Sequence, residues 1–259
     1  MNIEKIICLT EEYVELLYLL GEEERIVGIS TYVKRPKKAI KEKTIVCSFV
    51  KADIDKINLL KPDLILGFSD VQAEIAKDLI KNHHNIFISN QRSINEIFNI
   101  MEWVATLLEK KKEYENLLNR WKSKIEHYKN LTQNYDKKKV IFLEWDDPLI
   151  SGIQWVEEIL EILNLKPIFP ELKYKKSAKE RIVETQEIIK RNPDIILLSL
   201  CGKKANLNQI KNLLEQTTAA LKNQIYEIDP SIILQPGPAL FEEGIDILYH
   251  TIYQKFKEA

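Results

Sequence analysis

A short helix, a Pro-Asp pair and an apolar strand occur in that order at two places in this chain. The first copy reads DKINLLKPDLILGF, and the second reads QEIIKRNPDIILLS, from Gln186 to Ser199. Proline cannot continue the helix before it, so each copy predicts a helix that stops and a buried strand that starts. Two other runs repeat at the same offset, since KIICL is matched by KVIFL and NIFIS by QIYEID. The offset of about 130 residues is far longer than a solenoid repeat and predicts two similar lobes.

The order of predicted elements in the first half is that of an α/β protein. KIICL, RIVGIS, LILGF and NIFIS read as short buried strands, and helical segments with apolar stripes separate them. One of these helices, EYVELLYLL, is predicted to end at Gly21, because glycine suits the left-handed end of a helix. Alternating strands and helices predict a mostly parallel sheet with helices on its faces.

The middle of the chain is predicted to be one long helix. From Ile94 to Asn130 there is no strong helix breaker, and apolar residues recur every three or four positions. We therefore expect an N-terminal α/β lobe at 1–93, a bridging helix region at 94–130 and a C-terminal α/β lobe at 131–259. A coiled-coil arm is the alternative for the middle region. The predicted fold class is α/β, with two lobes of mostly parallel sheet joined by a long bridging α-helix.

Charge and cysteine usage exclude several classes of protein. The formal net charge is -1, so there is no general basic field to attract nucleic acid. The three cysteines are far apart and odd in number, which predicts free thiols. No apolar run approaches the roughly 20 residues that a membrane span needs. The opening MNIEKIICLT does not read as a secretory leader, so we expect a cytoplasmic protein, or an extracytoplasmic one whose leader has been removed. We also expect the protein to be a monomer.

The segment EWDDPLISGIQW, from Glu144 to Trp155, carries three carboxylates after an apolar strand and is expected to be a loop at the lip of a cleft. A glycosidase needs two carboxyl groups that face one bond, whereas these neighbours should diverge, so a hydrolase is a minor hypothesis. The four histidines lack zinc-site spacing, and no GxSxG, GxGxxG or phosphate loop occurs. We therefore predict a protein that is not an enzyme and has no metal site or covalent cofactor.

Aromatic residues follow several predicted strands. Tyr32 follows the second predicted strand, Phe68 ends a strand, and Trp145 follows the first strand of the second lobe. Phe49 lies in the loop before Asp53. Each is at or near a carboxyl edge, where ligands bind in open parallel sheets. One such ring is usually a core residue, but four favour stacking against a broad apolar ligand in a cleft between lobes. Trp155 is a weaker candidate, because its position also suits the inner side of a helix.

The stretch KIICLTEEYVELLYLLGEEERIVGIS resembles the opening of the cobalamin- and siderophore-binding proteins of ABC importers. These are the class III substrate-binding proteins, which have a rigid helical backbone. DIDKINLLKPDLILGF, EWDDPLISGIQWVEEILEILN and QPGPALFEEGIDIL follow in that family's order, and the EW-DP-SG-W pattern is most similar to the cobalamin-binding branch. The resemblance implies two Rossmann-like lobes, a bridging helix and a ligand clamped between the lobes.

The resemblance also implies roles for individual residues. Tyr32 stands where the cobalamin binders place a cleft tyrosine, and Phe49 and Phe68 stand where they place tryptophans. Some members carry charged ligand contacts in the segment that here reads SIILQ, so Ser231 and Gln235 offer neutral polarity instead.

Transporter contacts are implied in the same way. In the family a glutamate on each lobe meets arginines of the membrane transporter, and the matching positions here are Asp55 and Gln186. Glutamine cannot make the charge-assisted pair, although Glu184 or Glu187 could compensate for it.

The implied function is a substrate-binding protein that holds a corrinoid such as cobalamin, without a covalent bond, for an ABC importer. A ferric siderophore or haem is the alternative ligand. Anionic chelates favour arginine and lysine near strand ends, where few occur beyond Lys34, Arg35 and Lys203. A cytoplasmic corrinoid-handling or sensing protein that does not dock on a transporter is the other alternative.

Overall fold

The chain forms two compact units. A computed structural model describes residues 3–254. Unit 1 consists of Met1–Gln91 and Asn95–Asn119, and unit 2 consists of Arg92–Ile94 and Arg120–Ala259. Within the described range, no helix is both long enough and apolar enough to cross a membrane.

Unit 1 is built around a sheet of five parallel strands. The strands are β1 (Ile6–Cys8), β2 (Ile26–Ser30), β3 (Thr44–Cys47), β4 (Leu64–Phe68) and β5 (Ile86–Ser89). Helices α1 (Glu11–Leu19), α2 (Lys37–Glu42), α3 (Ile54–Leu60) and α4 (Ala73–Lys81) follow the first four strands in turn. The strand order is β3-β2-β1-β4-β5, and every pair is parallel. The winding direction therefore switches between β1 and β4, which is where open α/β sheets place their crevice.

The middle region is helical, as predicted, but it forms two helices instead of one. They are α5 (Ile94–Leu107) and α6 (Lys111–Thr132). Glu109 lies between them with a φ of 61°. The N–H groups of Glu109 and Lys110 donate back to the carbonyl groups of Thr106 and Ala105, which is the Schellman pattern of a helix end. A glutamate gives no sequence signal for a left-handed residue, so the prediction of one uninterrupted helix is wrong at this point.

Unit 2 has a second five-stranded sheet. The strands are β6 (Lys139–Asp146), β7 (Leu149–Ser151), β8 (Lys166–Pro167), β9 (Ile195–Leu198) and β10 (Ile225–Glu227). The main order is β10-β9-β6-β7, and β8 pairs with the beginning of β6. The helices are α7 (Gln154–Ile162), α8 (Thr185–Arg191), α9 (Leu207–Leu213), α10 (Thr218–Leu221) and α11 (Pro230–Ile233). The mostly parallel α/β fold that the sequence predicts is therefore present in both units.

The segment after the first strand of unit 2 is a hairpin and not a loop. β6 continues to Asp146, and β7 returns antiparallel to it, with Trp145 paired to Ile150. A bridge between Ile150 and Ile182 adds a further piece of chain to the outer side of this hairpin. The expectation of a simple lip loop is wrong because the alternating residues of LEWD and LIS extend the strand pairing beyond the apolar run.

The repeated Pro-Asp pair has the same structural role in each unit. The Asp63 carboxylate accepts the backbone N–H of Lys5 at 2.8 Å, and the Asp194 carboxylate accepts that of Lys139 at 2.8 Å. The backbone N–H of each aspartate also donates to the carbonyl of the same lysine. Each aspartate therefore ties the start of one inner strand to the start of its neighbour, which explains why the motif recurs with the fold.

The C-terminal helical segment contacts α6 within unit 2. It consists of two π-helical turns, Leu240–Gly244 and His250–Gln254, on either side of α12 (Ile245–Tyr249). The Glu242 carboxylate accepts the indole N–H of Trp121 at 2.6 Å. Asp246 accepts the Tyr128 hydroxyl at 2.6 Å and the Lys124 ammonium at 2.7 Å. These charge-assisted bonds fix the register of the two helices.

Candidate functional site

Two of the predicted ligand-binding rings meet at the carboxyl edge of the unit 1 sheet. Tyr32 follows β2 and Phe49 follows β3, and these strands are neighbours in the sheet. The ring centroids lie 6.3 Å apart with an interplanar angle of 79°, which is an edge-to-face contact. Tyr32 is 50% exposed, and Phe49 is half-buried. The pair therefore presents aromatic surface at the edge where open parallel sheets bind ligands.

Phe68 ends β4 on the same edge, but it is only 9% exposed. Beside it, the side chain of Gln72 connects the ends of β1 and β4, the two strands between which the winding direction switches. Its Oε1 accepts the N–H of Phe68 at 2.9 Å, and its Nε2 donates to the carbonyl of Leu9 on the β1 side at 3.3 Å. A Cβ on Gly67 would lie 2.5 Å from that Oε1, so a larger residue there would displace the Gln72 amide. Gln72 thus ties the ends of β1 and β4 together, and Phe68 offers a ligand little surface.

Buried glutamates begin α1 beside this aromatic pair. Glu11, Glu12 and Glu15 are 4%, 3% and 7% exposed. The Glu11 carboxyl accepts the N–H of Lys34 at 3.2 Å, and Glu15 accepts two N–H groups of the Arg35 guanidinium, each at 3.2 Å. Burial raises the pKa of Glu11 to about 8 and that of Glu12 to about 7. The first turn of α1 therefore holds carboxyl groups that change charge around neutral pH.

We expect the stability of the protein to fall as the pH rises from about 5 to about 8. Burial also raises the pKa of Glu157 on α7, to about 8. In this window the unfolded chain releases protons from Glu11, Glu12 and Glu157 while the folded chain retains them, so the free energy of unfolding decreases with pH. A total loss of at least ~2 kcal/mol is expected, levelling off above the folded pKa values. Urea unfolding at a series of pH values measures it.

Substituting Glu157→Gln provides the control for this pH dependence. A glutamine has the same shape and stays neutral, so the variant should lose less stability between pH 5 and 8 than the unmodified protein does. A variant at an exposed carboxylate, Glu74→Gln, should keep the original slope. A free energy of unfolding that is constant or rises over this window would contradict the assignment.

The hairpin of unit 2 places Trp145 at the carboxyl edge of its own sheet. Trp145 is half-buried, and its indole N–H donates to the carbonyl of Asp147 at 2.8 Å. The ammonium of Lys203 lies 4.4 Å from the centre of the Trp145 ring and forms an ion pair with Asp146. The ring is therefore fixed in orientation, with a cation against its face.

The carboxylates of the hairpin face cations. The carboxylate of Glu144 lies 2.7 Å from the guanidinium of Arg181, which is only 4% exposed. Arg181 also donates to the carbonyl of Ser151 on β7 at 2.6 Å. Burial raises the pKa of Glu144, while the positive charge of Arg181 opposes this shift. Glu144 and Asp146 are thus each paired with a cation, which is not the facing pair of carboxyl groups that the hydrolase hypothesis requires.

Two predicted contacts of unit 2 are already engaged inside the unit. Trp155 is 1% exposed, and its indole N–H donates to the carbonyl of Ile233 at 3.0 Å, so Trp155 is a core residue and leaves the set of candidate contacts. Ser231 is 6% exposed, and both its N–H and its hydroxyl contact the Asp229 carboxylate at 2.8 Å. Asp229 is the N-cap of α11, and the Ser231 hydroxyl is engaged by this cap. Gln235 is half-buried and remains a candidate.

The positions implied for transporter contact are accessible. Asp55 is exposed in the first turn of α3, and Gln186 is exposed in α8. Glu187 is bonded to Arg191 at 2.9 Å, whereas Glu184 is exposed at the N-terminal cap of α8. Glu184 is therefore better placed than Glu187 to supply the charge that Gln186 lacks.

Some of these features are readable from the sequence, and others are not. Glu11 and Glu15 are four residues apart on a predicted helix, a spacing that puts both on one face. Gln72 and Arg181 were missed, because neither lies in a recognisable motif and each contacts residues from a distant part of the chain. Among residues 3–254, no group of three or more His, Cys, Asp or Glu side chains could hold a metal ion.

Similarity to known proteins agrees with this architecture. The chain is 26% identical over 268 residues to the uncharacterized ABC transporter substrate-binding lipoprotein YvrC of Bacillus subtilis (strain 168), covering 98% of this chain and 82% of that protein. It is 24% identical over 202 residues to the vitamin B12-binding protein of Vibrio vulnificus (strain YJ016), covering 76% and 71%. In structure it is similar to a possible iron-binding (periplasmic solute-binding) protein from Staphylococcus epidermidis ATCC 12228. That match has a TM-score of 0.82 and 25% identity, and it covers 98% of this chain and 100% of that one.

The family model described as periplasmic binding protein matches residues 6–232, which is most of the chain. The matched range includes both sheets, the aromatic pair of unit 1 and the hairpin of unit 2. These features agree with the resemblance drawn from the sequence. The chain therefore belongs to the periplasmic binding protein family.

Proposed function

We propose that this protein is the substrate-binding component of an ABC importer and that its ligand is a bulky, flat molecule, with a corrinoid as the first choice. The observation that supports this class of ligand is the edge-to-face pair of Tyr32 and Phe49. Trp145 adds a further ring at the carboxyl edge of the unit 2 sheet. Flat macrocycles bury a large apolar area against such rings. The ligand is held without a covalent bond.

The charges near these rings favour a ligand with an uncharged rim. The guanidinium of Arg35 is bonded to Glu15, and the ammonium of Lys203 is paired with Asp146. Both cations are therefore already balanced by the protein. A corrinoid carries amide groups around its ring, and neutral groups such as that of Gln235 can bond to them. A haem or a ferric siderophore carries anionic oxygens, which bind best to cations that have no carboxylate partner.

An iron chelate is the second candidate ligand. The structural similarity to a possible iron-binding protein favours it. Lys34 also lies two residues after Tyr32 with an exposed side chain, and it could meet an anionic group.

Competition between the candidates tests the ligand class. The protein is mixed with equal amounts of cyanocobalamin, haem and a ferric tricatecholate, and native mass spectrometry records which complex forms. We expect the cyanocobalamin complex to dominate. A dominant haem or tricatecholate complex would overturn the corrinoid choice in favour of the second candidate. The bare protein as the sole species would contradict both.

We place the protein outside the cytoplasmic membrane, as the lipoprotein relative suggests. This replaces the cytoplasmic location expected from the sequence. Fractionation of the native host tests it: the protein should appear with the cell envelope, and recovery in the cytosol would support a corrinoid-handling protein that does not dock on a transporter.

The exposed acid on α3 should be needed for docking on the importer. Asp55 can pair with a cation of the membrane protein, whereas Gln186 cannot make a charge-assisted pair. We expect Asp55→Lys to reduce ligand-stimulated ATP hydrolysis by the cognate importer in proteoliposomes by about tenfold. Gln186→Glu should leave it unchanged or increase it. Ligand affinity in solution should be unaltered in both variants, and full stimulation by Asp55→Lys would rule out this contact.

A further inference from the structure

The loop that carries Tyr32, residues 31–36, is hydrogen-bonded to the first two turns of α1. Glu11 accepts the backbone N–H of Lys34 at 3.2 Å. Glu15 accepts both the Nε and an Nη of Arg35, each at 3.2 Å. Because Glu11 and Glu15 are four residues apart, they lie on the same face of the helix. The two acids therefore bind consecutive residues of the loop, two and three positions after the exposed ring of Tyr32.

We propose that Glu11 and Glu15 are positioning residues that hold the Tyr32 loop in the conformation in which Tyr32 contacts the ligand. This inference rests on the proposed function, since it assigns the ring to the ligand. Neither acid is itself assigned as a ligand contact: each is less than a tenth exposed, and each acts through the loop.

The surroundings of Glu11 and Glu15 make their bonds to the loop dependent on pH. The charged groups that act on Glu11 are Glu12 and Glu15 on α1 and Arg35 on the loop. The buried Cys8 and Tyr13 interact with Glu12, and Cys47 interacts with Cys8. Of these, Arg35 alone carries a positive charge. When Glu11 is ionised, Glu15 and Glu12 repel it, and the attraction of Arg35 is smaller than this repulsion and the cost of burial together.

The direction of the effect follows from linkage. Burial raises the pKa of Glu11 to about 8 when the loop is fastened. A loop that has opened would expose Glu11 to water and return its pKa to the ordinary value of about 4.3. The open state therefore binds fewer protons, so a rising pH favours release of the loop until Glu11 is ionised in both states.

Titration calorimetry with cyanocobalamin between pH 6 and pH 9.5 tests the inference. The dissociation constant should increase by about three- to tenfold across this range in the unmodified protein. Glu11→Gln keeps a neutral acceptor for the Lys34 N–H, so it should retain the pH 6 affinity at every pH. Glu12→Gln, the matched control, should retain the pH dependence, because Glu12 bonds to Thr10 and not to the loop. Glu15→Gln should weaken binding at every pH.

A readout without ligand separates this inference from the proposed function. Phe49 contacts Tyr32, and the chain has eight phenylalanines, so 4-fluorophenylalanine labelling with Phe49→Leu as the assignment variant gives a fluorine signal beside the loop. This signal should shift with pH in the unmodified protein and stay fixed in Glu11→Gln. If cyanocobalamin does not bind but the signal shifts as described, the ligand assignment fails and the loop linkage stands. A signal or an affinity that responds to pH equally in both proteins overturns the inference.

Discussion

Replacing Arg181 by methionine should lower the free energy of unfolding by about 3–5 kcal/mol. The guanidinium is almost fully buried and joins Glu144 on β6 to the carbonyl of Ser151 on β7. Methionine fills much of the same volume but leaves the Glu144 carboxylate, with 12% of its side chain exposed, without this partner. Desolvation of that unpaired charge, and not loss of packing, is the source of the large effect. Urea unfolding followed by far-UV circular dichroism measures it.

The double variant Arg181→Met/Glu144→Gln distinguishes the two causes. Removing the second charge should recover part of the loss, because a neutral glutamine no longer needs a buried counter-ion. Lys77→Met, which removes an ion pair at 2.9 Å on the exposed face of α4, is the matched control and should change stability little. A single variant as stable as the unmodified protein would show that the pair does not hold the hairpin.

Replacing Tyr32 by alanine should raise the dissociation constant for cyanocobalamin by about tenfold or more. The variant removes a half-exposed ring and its edge-to-face contact with Phe49, so the ligand loses an aromatic surface on unit 1. Tyr32→Phe should bind almost as well as the unmodified protein, because the ring remains. Trp145→Ala should weaken binding to a similar degree through the unit 2 hairpin. Titration calorimetry at pH 6.5 measures all three.

Tyr174 offers a matched control for the loss of an exposed tyrosine. It is 70% exposed, and Tyr174→Ala should leave both affinity and stability unchanged. Equal weakening by Tyr174→Ala and Tyr32→Ala would mean that the effect is not specific to the strand edge. Unaltered affinity in Tyr32→Ala and Trp145→Ala would remove both rings from the site.

The fold was predictable where local chemistry leaves few choices. Gly21 ends α1 as expected, with a φ of 72°, and the N–H of Glu22 bonds back to Leu17. The same kind of helix end occurs at Glu109, where no glycine marks it. The chain has only seven glycines, and several other residues, including Glu109, adopt left-handed backbone angles. The side chain of Glu109 gives no sequence signal for that conformation. For this reason the break in the long helix was not predictable. The two lobes were predictable, because the repeated Pro-Asp pairs and apolar strands mark them in the sequence.

The candidate site was predictable only in part, for a similar reason. Tyr32 follows a strand that the sequence predicts, whereas the strand before Phe49, β3, was not predicted. The strand order makes the two rings neighbours. Trp155 was the weaker candidate because its position suits the inner side of a helix, and α7 does place it in the core, where it bonds to Ile233. The partnership of Glu144 with Arg181 spans 37 positions and depends on how the outer chain folds over the hairpin, which no local pattern encodes.

Titration of the unmodified protein with cyanocobalamin, and with dicyanocobinamide as the smaller corrinoid, tests the central claim most directly. We expect saturable binding of one corrinoid per chain, with a dissociation constant of about 1 µM or lower, which corresponds to about −8 kcal/mol. Dicyanocobinamide should bind with comparable affinity, because the rings contact the flat macrocycle that both molecules share. Absence of saturable heat with both corrinoids at pH 6.5, from protein shown to be folded, would contradict the assignment of this protein as a corrinoid carrier.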